Sequence, residues 1–388
     1  MNAAPTSPGE RIEIIDVLRG FALFGILLEN VQFFVRPSYG TLFATQGAGG
    51  IDRLGIWLVD FISVGKFYPI FSLLFAYGIA RQMASADARG DRFLPFISWR
   101  LLLLMLIGLY HQTFLWSGDI LATYALLGFV LLPFRNASDR LLVALGALCL
   151  LAWPLLHALV LGGLDLGVFT TAAAERIDAL FAEFMDAERP VARQTLRILA
   201  MLFLGFTAGR RNLFGSASLG MRDLGRTAKI CLVTGALANA LYLAYRTRLD
   251  PAVLSWGWVF AVTLFTVATP VLAAGYVATL VEISSRPRWR RRLSPLAMVG
   301  RMSLTNYLMQ TLCLLAIVAV YRRLEFGPIW PPGGIAIGIG LFAAQIAASR
   351  WWLRRYRFGP AEWVWRSMAY GSLLPMRVQL GDATAPDH

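Results

Sequence analysis

The sequence predicts an all-α fold: a polytopic transmembrane helical bundle of about ten spans with both termini cytoplasmic. Three observations carry this. First, 57% of the 388 residues are hydrophobic and only 15% are charged, with a mean hydropathy of +0.59, too apolar for a water-soluble domain of ordinary composition. Second, apolar windows recur along the chain at the length that crosses about 30 Å of hydrocarbon at about 1.5 Å per residue. Third, with an even number of spans and the N-terminus inside, 24 of the 36 Lys and Arg residues fall in inner segments and 10 in outer ones, leaving Arg19 and Lys66 inside spans. Basic residues concentrate in cytoplasmic loops, so this asymmetry sets the orientation.

In order, the windows are 15–34, 55–80, 97–115, 119–134, 141–162, 195–210, 230–246, 256–282, 303–321 and 335–350. The segments at 119 and 195 are short, with 16 residues each, and are the least certain to cross fully. The first span follows an acidic stretch (Glu10, Glu13, Asp16) and is long enough to stay in the membrane, so it reads as its own insertion signal and not as a cleaved leader. No linker or low-complexity tract divides the chain, which therefore forms one integral domain, 1–388: a tail (1–14), the bundle (15–350), and a cytoplasmic interfacial segment with its tail (351–388). Within 172–189, Ile177, Leu180, Phe181 and Phe184 recur at helical spacing opposite acidic residues, the pattern of a helix lying on the outer surface. After Arg357, Gly359-Pro360 stops a helix, and Trp363, Trp365 and Arg366 suit an anchor at the inner leaflet.

The net charge of +13 follows from the loop bias, so anionic membrane lipid is the implied partner and nucleic acid is not. Cys149, Cys231 and Cys313 all fall in spans without close spacing, against a disulfide framework or metal site and in favour of small core residues.

Polar groups inside spans cost several kcal/mol unless paired or facing a wet cavity, so they are the candidate functional residues. Span 1 carries Asp16 and Arg19 at its inner end, and Glu29, Asn30 and Gln32 toward its outer end. Span 2 carries Asp60 and Lys66, with Pro69 breaking the helix three residues later. Lys66 is read as lining a functional cavity, the alternative being a structural pair with Asp60 or Glu29. Between spans 3 and 4, His111 and Asp119 face each other across a tight turn. A carboxylate there can hold one ring nitrogen and leave the other as base or nucleophile, while helix capping by Asp119 is the structural alternative. His157 stands alone on an apolar face, as a core histidine would. At the start of span 9, Ser303, Asn306, Tyr307 and Gln310 form a polar stripe at i, i+3, i+4 and i+7, suited to interhelical hydrogen bonding or to a ligand. No phosphate-binding glycine loop, zinc signature or nucleophile elbow is present.

Several of these stretches resemble the YeiB-like family of bacterial inner-membrane proteins, catalogued by a domain of unknown function. They are Asp16-Val17-Leu18-Arg19-Gly20 through Leu27 with Asn30, Gly65-Lys66-Phe67-Tyr68 through Phe75, the His111–Leu121 turn, Gly300–Gln310, Trp351–Arg357, and Gly359-Pro360 through Arg366. The family is grouped by similarity with transmembrane acyltransferases such as heparan-alpha-glucosaminide N-acetyltransferase. That resemblance implies a multi-pass enzyme of the bacterial inner membrane that moves an acyl group from cytoplasmic acyl-CoA, its co-substrate, to an unidentified extracytoplasmic acceptor. It implies no tightly bound cofactor. The lysosomal enzyme has its active histidine between spans 1 and 2, shortly before an aspartate that Asp60 resembles; this chain has none there, so either His111 supplies the chemistry from another turn or the activity has changed. Under this reading His111 is general base or transient acyl carrier, Asp119 orients it, and Lys66, Asn30, Asn306 and Gln310 line a tunnel for the thioester. Arg19 receives CoA phosphates, as could Arg288, Arg290, Arg291 and Arg292, although that run suits a topology determinant better. A transporter or flippase of a small polar or lipidic solute is the alternative, with the same polar groups binding the solute. A homo-oligomer is left open.

Overall fold

The computed structural model describes residues 13–35, 49–161, 190–215, 221–249, 255–326 and 329–378. The expected surface helix over 172–189 and the side chain of His157 lie outside the described residues. The described residues are helical, with no strand beyond one isolated antiparallel bridge between Tyr356 and Arg377. The helices are α1 (Glu13–Val35), α2 (Gly50–Ile62), α3 (Phe67–Arg89), α4 (Phe93–Phe114), α5 (Leu121–Leu131), α6 (Asp139–Leu161), α7 (Pro190–Arg210), α8 (Met221–Arg246), α9 (Trp256–Ser284), α10 (Pro287–Arg301), α11 (Ser303–Arg323), α12 (Pro331–Leu353) and α13 (Pro360–Tyr370).

Helix α1 is the axis of the bundle. Leu18, Ala22, Leu23, Ile26, Leu27 and Val31 are all buried, because α3, α9, α10, α11 and α12 pack round it. Its closest neighbour is α10, against which the backbones nearly touch: a Cβ on Gly20 would overlap the Leu296 carbonyl, and one on Gly300 the Asp16 carbonyl. A second core joins α3, α4, α5 and α7 through Tyr68, Leu101, Tyr124, Leu202 and Phe206. On the outside, α6 exposes Leu141, Leu148, Leu151, Leu155 and Leu159, and α8 exposes Ile230, Val233, Leu237 and Leu241. Continuous apolar ridges of this kind on long apolar helices suit lipid and not water. The chain is a helical membrane protein.

Six segments among the described residues are long and apolar enough to cross a membrane on length and composition: Gly50–Arg89, Phe93–Phe114, Asp223–Arg246, Trp256–Ser284, Ser303–Arg323 and Pro331–Leu353. The sequence reading expected ten. Helix α1 has 23 residues but holds Asp16, Arg19 and Glu29, and α5 with the 3₁₀ turn that follows it is a shorter apolar segment, Leu121–Asn136.

Two expectations are corrected. The window 55–80 is two helices, and Pro69 does not break it. The break precedes Lys66: Gly65 takes φ +81°, and the Ser63 hydroxyl donates to the Gly25 carbonyl at 2.6 Å. Pro69 sits in the first turn of α3, where its missing N–H has no partner to lose. The inner loop expected after 282 is largely the helix α10, whose arginines hid it from an apolar window.

Candidate active site

The His111 site is built at a helix–turn–helix corner. A Cβ on Gly108 would overlap the backbone of Ala122, so glycine there lets the end of α4 press on the start of α5. The turn between them closes as Leu115 and Trp116 donate to the His111 carbonyl. His111 Nδ1 then lies 2.9 Å from Asp119 Oδ1, with both side chains buried. Asp119 does two jobs. Its Oδ2 accepts from the backbone N–H of Leu121 at 2.8 Å and of Ala122 at 3.3 Å, capping α5, while Oδ1 faces His111 and accepts from the Tyr307 hydroxyl at 3.1 Å. The rings of His111 and Tyr307 are 5.5 Å apart.

Among the described residues neither ring nitrogen of His111 makes an aligned hydrogen bond. Nδ1 thus lies within ion-pair distance of Asp119 without the alignment of a hydrogen bond. Nε2 is buried with no partner among the described residues. A buried imidazole held by a carboxylate on one side and open on the other can take a proton from a nucleophile. The positive charge formed would face Asp119 and the carbonyl end of α4.

A second polar cluster lies round the α2–α3 break. Lys66 is 1% exposed and its Nζ donates to the Asp60 backbone carbonyl at 2.7 Å. The Asp60 carboxylate instead pairs with Arg246 of α8. Glu29 of α1 is close enough to Lys66 to interact electrostatically. Arg197 of α7 donates to the Tyr68 hydroxyl at 3.1 Å and stacks on Phe265, 4.7 Å from the ring centre. Tyr124 joins the two clusters: it is within electrostatic reach of both Asp119 and Glu29, and its hydroxyl bonds to Ser72 and the Tyr68 carbonyl.

Asn306 and Gln310 belong to a third network, between α11 and α12. Asn306 Nδ2 donates to Ser349 Oγ at 3.0 Å, Gln310 Nε2 to Gln345 Oε1 at 2.9 Å, and Gln345 Nε2 back to the Asn306 carbonyl at 2.8 Å. These bonds are the interhelical hydrogen bonding that the stripe allowed. Tyr307, on the adjoining face, is its member that reaches Asp119. Asn30 follows Glu29 and is only partly buried. Arg19 lies at the other end of α1, 3.4 Å from Asp16.

Sequence reasoning did not assign roles to Arg246, Arg197, Tyr124 or Glu362. Glu362 of α13 caps α11: it accepts from the N–H of Leu304 at 2.6 Å, the N–H of Thr305 at 3.1 Å and the Thr305 hydroxyl at 2.5 Å. Burial pushes its carboxyl above the ordinary carboxylate range, against the opposing pull of those bonds. The cap fixes where α11 starts, one turn before Tyr307.

Residues 208–372 match the family described as "Protein of unknown function (DUF418)". Over 406 residues the chain is 30% identical to "Uncharacterized protein YxaH" of Bacillus subtilis (strain 168), covering 96% of this chain and 97% of the relative. It is also 28% identical over 401 residues to "Uncharacterized protein YeiB" of Escherichia coli (strain K12), covering 92% and 96% of the two chains.

Proposed function

The chain belongs to the YeiB-like family of proteins of unknown function, matching its relatives over nearly its whole length, and from that premise we propose that it is a transmembrane acyltransferase. The donor is acyl-CoA from the cytoplasm, and the acceptor a hydroxyl or amine on the other side of a bacterial inner membrane. The observation that carries this reading is the His111 site: Nδ1 faces Asp119 at 2.9 Å, while Nε2 is buried with no partner among the described residues.

His111 Nε2 takes the proton from the acceptor as its oxygen or nitrogen attacks the thioester carbonyl. The carbon–sulfur bond then breaks, and the departing CoA sulfur receives that proton, so acyl-CoA and acceptor become acylated acceptor and free CoA. Asp119 orients the ring and faces its transient charge, and Tyr307 orients Asp119.

Ten crossings with both ends cytoplasmic remain the proposed topology. The helices supply ten segments when α2 and α3 count as one and α10 and α13 do not cross, and the excess of basic residues on one side supports the orientation. A transporter is the second reading, favoured by the buried charges round Lys66. The two separate in one assay: purified protein in vesicles made with envelope lipid extract as acceptor, acetyl-CoA outside, free thiol measured with and without His111→Ala. Thiol release that needs His111 supports the enzyme; none in the unaltered protein supports the transporter.

A further inference from the structure

The first turns of α10 carry Arg288, Arg290, Arg291 and Arg292, directly after Arg286. Two of these arginines are used inside the protein. Arg290 Nε donates to Glu13 of α1 at 2.5 Å, and Arg286 lies 3.4 Å from Glu282 at the end of α9. Arg288, Arg291 and Arg292 stand at i, i+3 and i+4 and so share one face of the helix. All three are exposed, and none has a carboxylate partner among the described residues. Arg292 lies instead over the exposed Trp289 indole, 5.2 Å from the ring centre. For α10 itself this arrangement is unfavourable: like charges four positions apart repel, and cations near a helix N-terminus oppose its dipole. The first turn holds no acidic residue, and the N-cap makes no side-chain bond.

The basic face is continuous with the lipid-facing ridge of α8. A Cβ on Gly225 would lie 3.2 Å from the Glu282 carboxylate, which sets the start of α8 beside the Glu282–Arg286 pair. Arg226 and Lys229 follow at once, both exposed and without an ion pair among the described residues. The exposed apolar ridge begins immediately after them with Ile230 and Val233. Arg226 shares its face with Ile230, and Lys229 with Val233, each pair four positions apart. A lipid lying along that ridge therefore carries its headgroup to these cations. Basic side chains at the end of an apolar face, with a tryptophan beside them, suit the headgroup layer of a bilayer.

We propose that Arg226, Lys229, Arg288, Arg291 and Arg292 form a docking surface for the headgroups of anionic phospholipids, and that lipid bound there fastens α10 to the bundle. The far half of α10 is held by its backbone contact with α1 at Gly20 and Gly300. Its near half, where the like charges gather, is held to α1 by the Arg290–Glu13 pair, and phosphate groups over Arg288, Arg291 and Arg292 would offset their repulsion. This surface is independent of the acyltransfer reading.

The test is thermal unfolding of the full chain in nanodiscs of phosphatidylcholine, with and without phosphatidylglycerol, at low and high salt. Phosphatidylglycerol should raise the melting temperature of the unaltered protein, and salt should shrink the rise by screening. A variant carrying Arg288→Gln, Arg291→Gln and Arg292→Gln should lose about half of the rise or more. Lysine at the same three positions should keep it, because attraction to a lipid surface needs the charge and not the guanidinium fork. A control carrying Arg248→Gln, Arg322→Gln and Arg323→Gln removes as much charge from exposed positions at the C-terminal ends of α8 and α11 and should also keep it. If the triple Gln variant is not monodisperse, Arg226→Gln with Lys229→Gln on α8 carries the same comparison. No rise in the unaltered protein, equal rises in it and the folded Gln variants, or as large a loss in the control would overturn the proposal. Stabilisation by soluble pyrophosphate in phosphatidylcholine alone, lost with the same arginines and not matched by phosphatidylglycerol, would overturn lipid as the ligand.

Discussion

The His111 and Lys66 clusters are both buried and polar, yet they are built in opposite ways. Round Lys66, cations and carboxylates from four helices largely compensate one another: Asp60 pairs with Arg246, Lys66 holds a backbone carbonyl, and Glu29 lies close by. Round His111 a single carboxylate serves a histidine, a tyrosine and a helix end, and one ring nitrogen is left over. A compensated cluster holds helices together in lipid, where a lone charge is expensive. An uncompensated nitrogen with an oriented partner is what proton transfer requires. The first arrangement therefore governs stability and the second chemistry, and substitutions in the two should affect different observables.

The largest effect belongs to His111→Ala, which should lower acyl-CoA-dependent thiol release by about 10²–10⁴-fold, the range of a general base, with little change in melting temperature. A variant that loses both activity and fold would place His111 with the structural cluster and blur the contrast. Next comes Asp60→Ala, which strands Arg246 in a partly buried site and should destabilise the protein by about 3–5 kcal/mol. Thermal unfolding in detergent measures this, and adding Arg246→Ala should recover part of the loss; additive losses would show that the pair is not coupled.

Tyr307→Phe removes one hydrogen bond to Asp119 and should lower turnover on the order of tenfold, as loss of a bond to a charged group does. The melting temperature should hold, and an unchanged rate would take Tyr307 out of the site. The smallest effect is at Glu362. Its folded carboxyl holds a proton more tightly than the unfolded one, so its contribution makes stability fall as pH rises from the ordinary carboxylate range through the raised one. Glu362→Gln should flatten that part of the profile, read as melting temperature against pH; parallel profiles would contradict it.

The difference between the clusters also decides what the sequence could reveal. His111 and Asp119 are eight positions apart, so a tight turn between two apolar windows sufficed to pair them, and the structure pairs them. Asp60 and Arg246 are separated by 186 positions, and no local pattern predicts that contact. The long apolar helices were legible to within a few residues, as 97–115 against Phe93–Phe114 and 303–321 against Ser303–Arg323 show. Hydropathy averages over a window, so it passed across the break at Gly65, whose positive φ is a backbone property. It also missed α10, whose buried face (Leu293, Ala297, Val299) is set among arginines. The Asn306–Gln310 stripe was visible, but the Gln345 and Ser349 that satisfy it come from the next helix.

The most direct test of the proposed chemistry is the rate of free-thiol release from acetyl-CoA by the purified protein, supplied with envelope lipid extract as acceptor and compared with a folded His111→Ala variant. The proposed mechanism predicts release by the unaltered protein that is lost in the variant. Equal rates in the two proteins, or no release by either, would contradict it.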